Sequence, residues 1–191
     1  MNKKELRKKY FYYRQSLSKK EVLYNSYKIF SCLKKIFFIW EKKYYHVFLP
    51  IRKYKEVDTF FIVNFLLRKG KYVTIPYSNF HNCSIENCFF DQNTFLKKNS
   101  YGIFEPIPTQ KYVVSPSFIE VIFIPLLIFD LEGYRIGYGK GFYDRFIDLC
   151  KKNVMKIGLS FFYPINKIID IHKNDLSIDI GITPYHIFYF K

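Results

Sequence analysis

The chain has no apolar run approaching the ~18 uncharged residues that a helical membrane span requires, so it is not expected to cross a membrane. Its start is polar, with Lys3, Lys4, Glu5 and Arg7, and no apolar signal-peptide core follows; a cytoplasmic location is expected. Cysteine is scarce. Of Cys32, Cys83, Cys88 and Cys150 only the middle two are close in sequence. Four residues separate them, the widest gap a zinc knuckle uses, and no second ligand pair follows His81, Cys83 and Cys88. They read as part of a surface loop in a reducing compartment. Internal repeats, linkers and low-complexity tracts are absent. Acidic residues are few: 16 Asp and Glu face 31 Lys and Arg, for a net charge of +15.

That charge has three readings. It fits a nucleic-acid binder. It also fits a basic cleft for a polyanionic small molecule. The abundance of Lys, Asn, Ile, Phe and Tyr, residues of AT-rich codons, is a third source. The lysines are spread along the chain rather than gathered in one stripe, so no specific nucleic-acid partner is expected. At 191 residues and 49% hydrophobic, the chain is sized for one domain, residues 1–191, with a substantial core. A monomer is expected.

Residues 3 to 16 alternate charged and aromatic positions and read as a helix. Ser18 and Glu21 form a capping-box signature for a second helix over about 19 to 38, in which Leu23, Tyr27, Phe30, Leu33 and Phe37 recur at helical spacing and read as core. Tyr44 to Leu49, closed by Pro50, reads as a strand. Asp58 or Thr59 caps a helix over Phe60 to Arg68, and Gly70 ends it. Tyr72 to Ile75, before Pro76, is the next strand, giving a parallel pair with a crossover. Residues 77 to 118 are turn-rich, with short strands near Ile85 to Phe90 and around Phe95. Further strands fall at Val121 to Ile124, Lys156 to Leu159 and Ser177 to Ile182, with a helix over Phe142 to Leu149. The alternation predicts an α/β three-layer fold: a mainly parallel sheet flanked by helices, with a helical N-terminal segment.

The stretch from Ile124 to Phe146 carries the chemistry. An apolar strand enters a tight turn; Gly137, Gly139 and Gly141 follow at alternate positions; then a helix begins. Glycines let backbone N–H groups approach an anion closely, and a helix start adds donors and a favourable dipole. Arg135 and Lys140 flank the loop and can neutralise phosphate oxygens. Asp144, one turn into the helix, can hold a magnesium ion with several waters. The plain alternative is a glycine-rich connector. The spacing is neither the dinucleotide fingerprint nor a P-loop, because Gly141 rather than Ser or Thr follows Lys140.

Asp130, Gly133, Arg135, Gly137, Gly139, Gly141, Tyr143 and Asp144 resemble the signature of the 5-formyltetrahydrofolate cyclo-ligases, also called methenyltetrahydrofolate synthetases. Further likenesses follow in order along nearly the whole chain. Lys3-Lys4-Glu5-Leu6-Arg7 resembles the family's nucleotide-contacting start. Phe48-Leu49-Pro50 with Glu56 to Thr59 resembles its substrate segment. Tyr101 to Pro106 resembles its glycine-x-x-glutamate-proline turn, and Ile157 to Phe161 with Asn174, Asp175 and Asp179 its C-terminal part. Residues 52 to 55 read as a small basic insertion, Lys140 stands where the family carries glycine or lysine, and the tail after Thr183 is aromatic rather than acidic.

The resemblance implies conversion of 5-formyltetrahydrofolate, ATP and Mg²⁺ to 5,10-methenyltetrahydrofolate, ADP and phosphate. It implies ATP binding by Lys3, Lys4, Arg7, Arg135, Gly137, Tyr138, Gly139, Lys140, Gly141, Phe142 and Tyr143, with Arg135 and Lys140 catalytic. It places Leu49, Glu56, Tyr138 and Phe142 at the folate, and Asp144 and Asp175 at the metal. Glu56 is expected to be an exposed carboxylate ahead of a helix. The rival readings are a basic RNA-binding module with a phosphate-contacting glycine loop, a sugar-phosphate isomerase-like protein without ATP, and a degraded relative.

Overall fold

A computed structural model describes residues 1–190, apart from the Gln110 side chain; Lys191, the last residue of the expected domain, lies outside the described residues. Helix α1 (Lys3–Ser16) starts with a capping box between Asn2 and Glu5. Helix α2 (Lys19–Leu33) starts with the box expected of Ser18 and Glu21. It stops five residues before the expected end. The chain turns at Lys34 and Lys35, and a single helical turn, α3 (Phe37–Trp40), follows.

The buried face of α2 is Ser26, Ile29, Cys32 and Leu33, while Leu23, Tyr27 and Phe37 are exposed. The expected aromatic core stripe is therefore mostly an outer layer. Phe30 stacks on Phe61, and Tyr27 meets the same ring edge-on. The chain has more large apolar side chains than one interior admits, and the compact Ile29–Leu33 face lies closest to the sheet.

Strand β1 (Tyr44–Val47) crosses through α4 (Phe60–Arg68) to β2 (Tyr72–Asn79), and the two strands are parallel. The Asp58 carboxylate accepts the Phe60 N–H, whereas the Thr59 hydroxyl turns away to the Phe48 carbonyl. Gly70, at φ +65°, closes α4, with its N–H on Leu67 O and the Lys71 N–H on Leu66 O, both at 3.0 Å. This is the Schellman pattern. Strand β2 runs past Pro76, where the sequence predicts a stop. Its register with β1 ends at Thr74, and beyond that β2 pairs only with β3 (Ser84–Phe90). A residue without an N–H is tolerated where one side of the strand is open.

A separate ribbon of β4 (Leu96–Lys98) and β5 (Phe104–Pro106) follows. Then come β6 (Val121–Pro125), a short hairpin of β7 (Ile128–Phe129) and β8 (Arg135–Ile136), and α5 (Phe142–Asp148). Strands β9 (Met155–Leu159), β10 (Ile180–Ile182) and β11 (Ile187–Tyr189) complete a seven-stranded sheet in the order β11-β10-β9-β6-β1-β2-β3. The five inner strands are parallel and both edges antiparallel. The sequence reading missed β11. Its aromatic tail packs on the core: Phe188 and Phe190 meet Phe129 edge-on.

Alternation along β6 makes the three layers. Val121 and Phe123 join the core with α2 and α4, while Ile122 and Ile124 join Phe146 and Ile147 of α5 on the other face. Gly158 and Gly181 lie side by side across β9 and β10. A Cβ at Gly158 would sit 2.5 Å from Leu126 Cδ2, and one at Gly181 2.5 Å from the Phe129 ring. Gly181→Ala is therefore expected to destabilise by about 1–3 kcal/mol through overpacking, read as a lower urea midpoint with unchanged slope.

The sheet also fixes where a ligand can go. From β1 the chain moves to β2 on one side and later returns through β6 on the other. Such a reversal opens a crevice beyond the carboxyl ends of the strands.

Candidate active site

A cavity of about 860 Å³ occupies that crevice, within the usual size range of small-molecule sites. Phe48, Leu49 and Ile51 enter it after β1, Pro76 and Ser78 from the end of β2, and Pro125 from the end of β6. The β7–β8 hairpin and the loop after it form a wall through Arg135, Ile136 and residues 137 to 141. Helix α1 adds Lys3, Lys4, Arg7 and Phe11 to the lining. All the residues expected at the nucleotide, the folate and the metal line this one cavity, although they come from both ends of the chain.

The hairpin is organised from beneath. Asp130 is fully buried and accepts N–H groups from Glu132, Tyr134 and Ile168 at 2.9–3.0 Å. The position of Gly133 is required by packing, because a Cβ there would lie 2.9 Å from the Phe190 ring. Beyond β8, Gly139 (φ +86°) and Gly141 (φ +68°) take left-handed backbone that other residues rarely adopt. The Arg7 guanidinium lies against Gly139, and Arg7 Nε donates to the Gly137 carbonyl at 3.0 Å. The first helix thus braces the glycine loop.

Positive charge is divided in two. Arg135 donates to Asp144 at 2.6 Å and also to the Leu176 carbonyl. Lys3 Nζ pairs with Asp175, and the Lys3 backbone N–H reaches both oxygens of Asp170 at 2.9 Å. Burial works against the Asp175 charge, but Lys3 and the His172 N–H outweigh it and hold the carboxyl below its ordinary value. Lys4, Arg7 and Lys140 make no ion pair among the described residues, and Lys4 and Lys140 are exposed.

Asp144 and Asp175 are the candidate metal ligands. No cluster of three or more metal-binding side chains exists among the described residues. Two carboxylates in a cavity lined by cations nevertheless suit a magnesium ion, which uses one or two carboxylates and completes its shell with waters and substrate phosphates.

Glu56 corrects the sequence reading: it is 4% exposed rather than a surface carboxylate. The β1–α4 connection folds back so that Glu56 Oε2 accepts the Ile51 N–H at 2.7 Å, and Oε1 accepts the Tyr138 hydroxyl at 2.5 Å. Burial pushes the Glu56 carboxyl up, and the Arg14 charge with the two hydrogen bonds pulls it back part of the way. Burial and the Glu56 charge raise the Tyr138 phenol, which stays protonated.

A second buried chain lies under α5. Asn87 donates Nδ2 to the Val114 carbonyl, so its Oδ1 faces His46 Nδ1 at 2.8 Å. His46 therefore carries its proton on Nδ1 and offers Nε2 to the Tyr143 hydroxyl at 3.4 Å. Burial lowers the His46 pKa to about 4 against 6.5. A histidine kept neutral contributes stability above pH 6.5 that is lost as pH falls toward 4, by up to about 3 kcal/mol. Urea midpoints are expected to drop across that window, and less so in His46→Gln.

The sequence reading missed several wall residues. Phe80 and Tyr101 stack with centroids 3.8 Å apart in the cavity lining. Buried Glu105 anchors the Ser78 N–H at 2.7 Å. Asp170 and His172 also line the cavity. Tyr101 and Glu105 fall within the quoted Tyr101–Pro106 segment; the others carry no local signal. The expected cysteine loop divides as well: Cys83 stands at the β2–β3 turn, while Cys88 is buried within β3.

Fold and cavity define an α/β protein with a glycine-lined, cation-rich cleft at the carboxyl ends of a parallel sheet. The sequence profile of the 5-formyltetrahydrofolate cyclo-ligase family matches residues 1–184, and the chain belongs to that family. The 5-formyltetrahydrofolate cyclo-ligase of Mycoplasma genitalium is 46% identical over 48 residues, 25% of this chain and 29% of that one. That of Mus musculus is 28% identical over 133 residues, 65% of this chain and 66% of its own. The matched stretches thus span less than two thirds of these relatives. That of Escherichia coli (strain K12) is 29% identical over 68% of this chain and 72% of its own.

Among solved structures, Aquifex aeolicus 5,10-methenyltetrahydrofolate synthetase superposes with a TM-score of 0.82 at 29% identity, covering 100% of this chain and 94% of that one. The Mycoplasma pneumoniae 5,10-methenyltetrahydrofolate synthetase gives 0.74 at 25% identity, over 95% and 98%.

Proposed function

We propose that this protein converts 5-formyltetrahydrofolate to 5,10-methenyltetrahydrofolate, consuming ATP and releasing ADP and phosphate. The observation that carries the reading is the convergence, in one cavity, of a buried carboxylate acceptor, Glu56, with a glycine loop flanked by cations. The first suits the N–H groups of a pterin ring, the second a chain of phosphates.

The formyl group on nitrogen is an amide, and its oxygen leaves badly. Transfer of the ATP γ-phosphoryl to that oxygen forms an O–P bond, breaks the bond to ADP and makes the carbon more electrophilic. The neighbouring amine then attacks that carbon, the ring closes and phosphate departs. Phosphoryl transfer depends mainly on positioning and charge stabilisation. Arg135, fixed by Asp144 and the Leu176 carbonyl, and Lys140 face the phosphates. Lys3, Lys4 and Arg7 cover them from α1. Leu49, Tyr138 and Phe142 flank the folate beside Glu56. A magnesium ion held by Asp144 and Asp175 would neutralise charge on the transferring group.

The reading carries with it a monomer acting in the cytoplasm on small molecules, with no specific nucleic-acid partner. Among the described residues no helix is long and apolar enough to cross a membrane. The test is the absorbance of methenyltetrahydrofolate formed from 5-formyltetrahydrofolate, with and without ATP. Product only with ATP is the expected result; none with ATP and Mg²⁺ overturns the reading.

A further inference from the structure

Arg14 lies behind the cavity, outside its wall. It sits in the last turn of α1 with 3% exposure. Its Nη2 donates to the Tyr138 hydroxyl, and Nη1 reaches the Leu126 carbonyl at 3.4 Å. Nε is buried without a partner. The guanidinium also stands 5.4 Å from the Tyr138 ring centre and 5.9 Å from that of Phe11. A buried cation so poorly served by acceptors is a weak stabiliser of the fold, and apolar replacement of such groups is often neutral.

Its position gives it another use. The Tyr138 hydroxyl accepts from Arg14 and donates to Glu56, so cation, phenol and carboxylate form one directed chain. Three separate segments meet in it: α1, the glycine loop and the β1–α4 connection. The groups facing Glu56 are Arg14, Tyr138, the Ile51 N–H and, from α5, the Tyr143 phenol, which feels the Glu56 charge. Arg14 is the cation among them. Each Glu56 oxygen holds one internal hydrogen bond, and Glu56 lines the cavity, leaving two acceptors for parallel N–H donors.

We propose that Arg14 is a positioning residue: acting through the Tyr138 hydroxyl, it keeps Glu56 ionised and in one orientation as a two-pronged acceptor for the ring N–H groups of the folate. This rests on the proposed function. The sign follows from the chain. Burial favours the neutral acid, and Arg14 opposes it. Without the guanidinium, Glu56 takes up its proton at higher pH and the charged acceptor is lost sooner on acidification.

The experiment measures 5-formyltetrahydrofolate binding without ATP by calorimetry from pH 6 to 8.5, with the KM of each substrate and the melting temperature. In Arg14→Met, folate affinity is expected to fall several-fold at pH 6, with a smaller loss at pH 8.5. The KM for ATP should stay within about twofold, since no phosphate contact is removed. Arg14→Lys should restore most of the affinity. Tyr138→Phe, which keeps the ring and removes the relay, should show the same displacement toward higher pH and secures the test if Arg14→Met folds poorly. An equal loss of folate affinity at every pH, or a change confined to ATP, overturns the inference while leaving the enzyme assignment intact. Wild-type protein that neither binds nor turns over 5-formyltetrahydrofolate overturns both.

Discussion

Gly139→Val should remove ATP binding and leave a folded protein. At φ +86° the backbone of Gly139 is open to glycine and strained for a β-branched residue. A Cβ built there would lie 2.8 Å from Arg7 Cζ and 3.0 Å from Nη2. Valine must therefore either displace the Arg7 guanidinium or turn the peptide out of the left-handed region, and both dismantle the loop that Arg7 braces through Gly137. Local strain of this kind costs of order 1–3 kcal/mol. A domain stable by roughly 5–15 kcal/mol survives it, and Gly139 itself is exposed rather than in the core. Hydrogen bonds to a charged group such as a phosphate contribute about 1.5–3 kcal/mol each. ATP affinity is expected to fall at least about a hundredfold when several donors shift together. Titration calorimetry with ATP and Mg²⁺, beside near-ultraviolet circular dichroism, reads both quantities. Normal affinity in the folded variant would reduce the loop to a connector. Gly137→Ala separates strain from filling: its φ is unstrained and a Cβ meets nothing within 4 Å, so any loss of ATP there comes from occupying the cavity side.

The parts of this site that were legible in the sequence are local. A glycine loop between a strand and a helix, a capping box at Ser18 and Glu21, and a glycine stop at Gly70 are set by a few neighbouring backbone groups, and each occurs where expected. The parallel order of β1 and β2 followed from the crossover helix between them. What was not legible depended on distant partners. Glu56 looks solvent-facing until the basic turn after Ile51 folds back and Tyr138, 82 positions away, donates to it. Arg14 belongs to a helix of alternating charge and aromatic residues, and only the packing of α1 on the cavity shows it to be buried. The phase of α2 was misjudged for a related reason. With aromatics so common, spacing alone could not decide which stripe meets the sheet and which faces α4. Strand β11 escaped notice because its three residues pair across a tight turn with a strand already short.

Asp144→Asn is the sharpest test of the metal assignment, and its geometry is favourable. Asp144 Oδ1 accepts from Arg135 at 2.6 Å. Asparagine retains an oxygen of the same reach, so Arg135, whose side chain is 7% exposed, keeps its bond to the Leu176 carbonyl and an acceptor at position 144. The charge that a hard divalent ion favours is lost. If Asp144 is a ligand, the Mg²⁺ concentration for half-maximal activity should rise, by about tenfold on the scale of one weakened carboxylate interaction, and the maximal rate should fall. The stabilisation that ATP and Mg²⁺ together confer on the melting temperature should shrink, because it follows their binding free energy. Without ligands the melting temperature should move little, since a partly exposed ion pair contributes ~0–1 kcal/mol and the substitution keeps its hydrogen-bonding shape. If Asp144 serves only the start of α5, the Mg²⁺ curve is unchanged, and only the same small change in the ligand-free melting temperature remains. Asp175→Asn answers to the same two measurements, with one difference. Asp175 pairs with Lys3 and accepts the His172 N–H at 2.6 Å, so its loss also loosens the start of α1. A further rise in the KM for ATP is expected there and not in Asp144→Asn, because Lys3 and Arg7 share that helix. An unchanged Mg²⁺ dependence in both variants would leave the cavity with two structural ion pairs and no metal site.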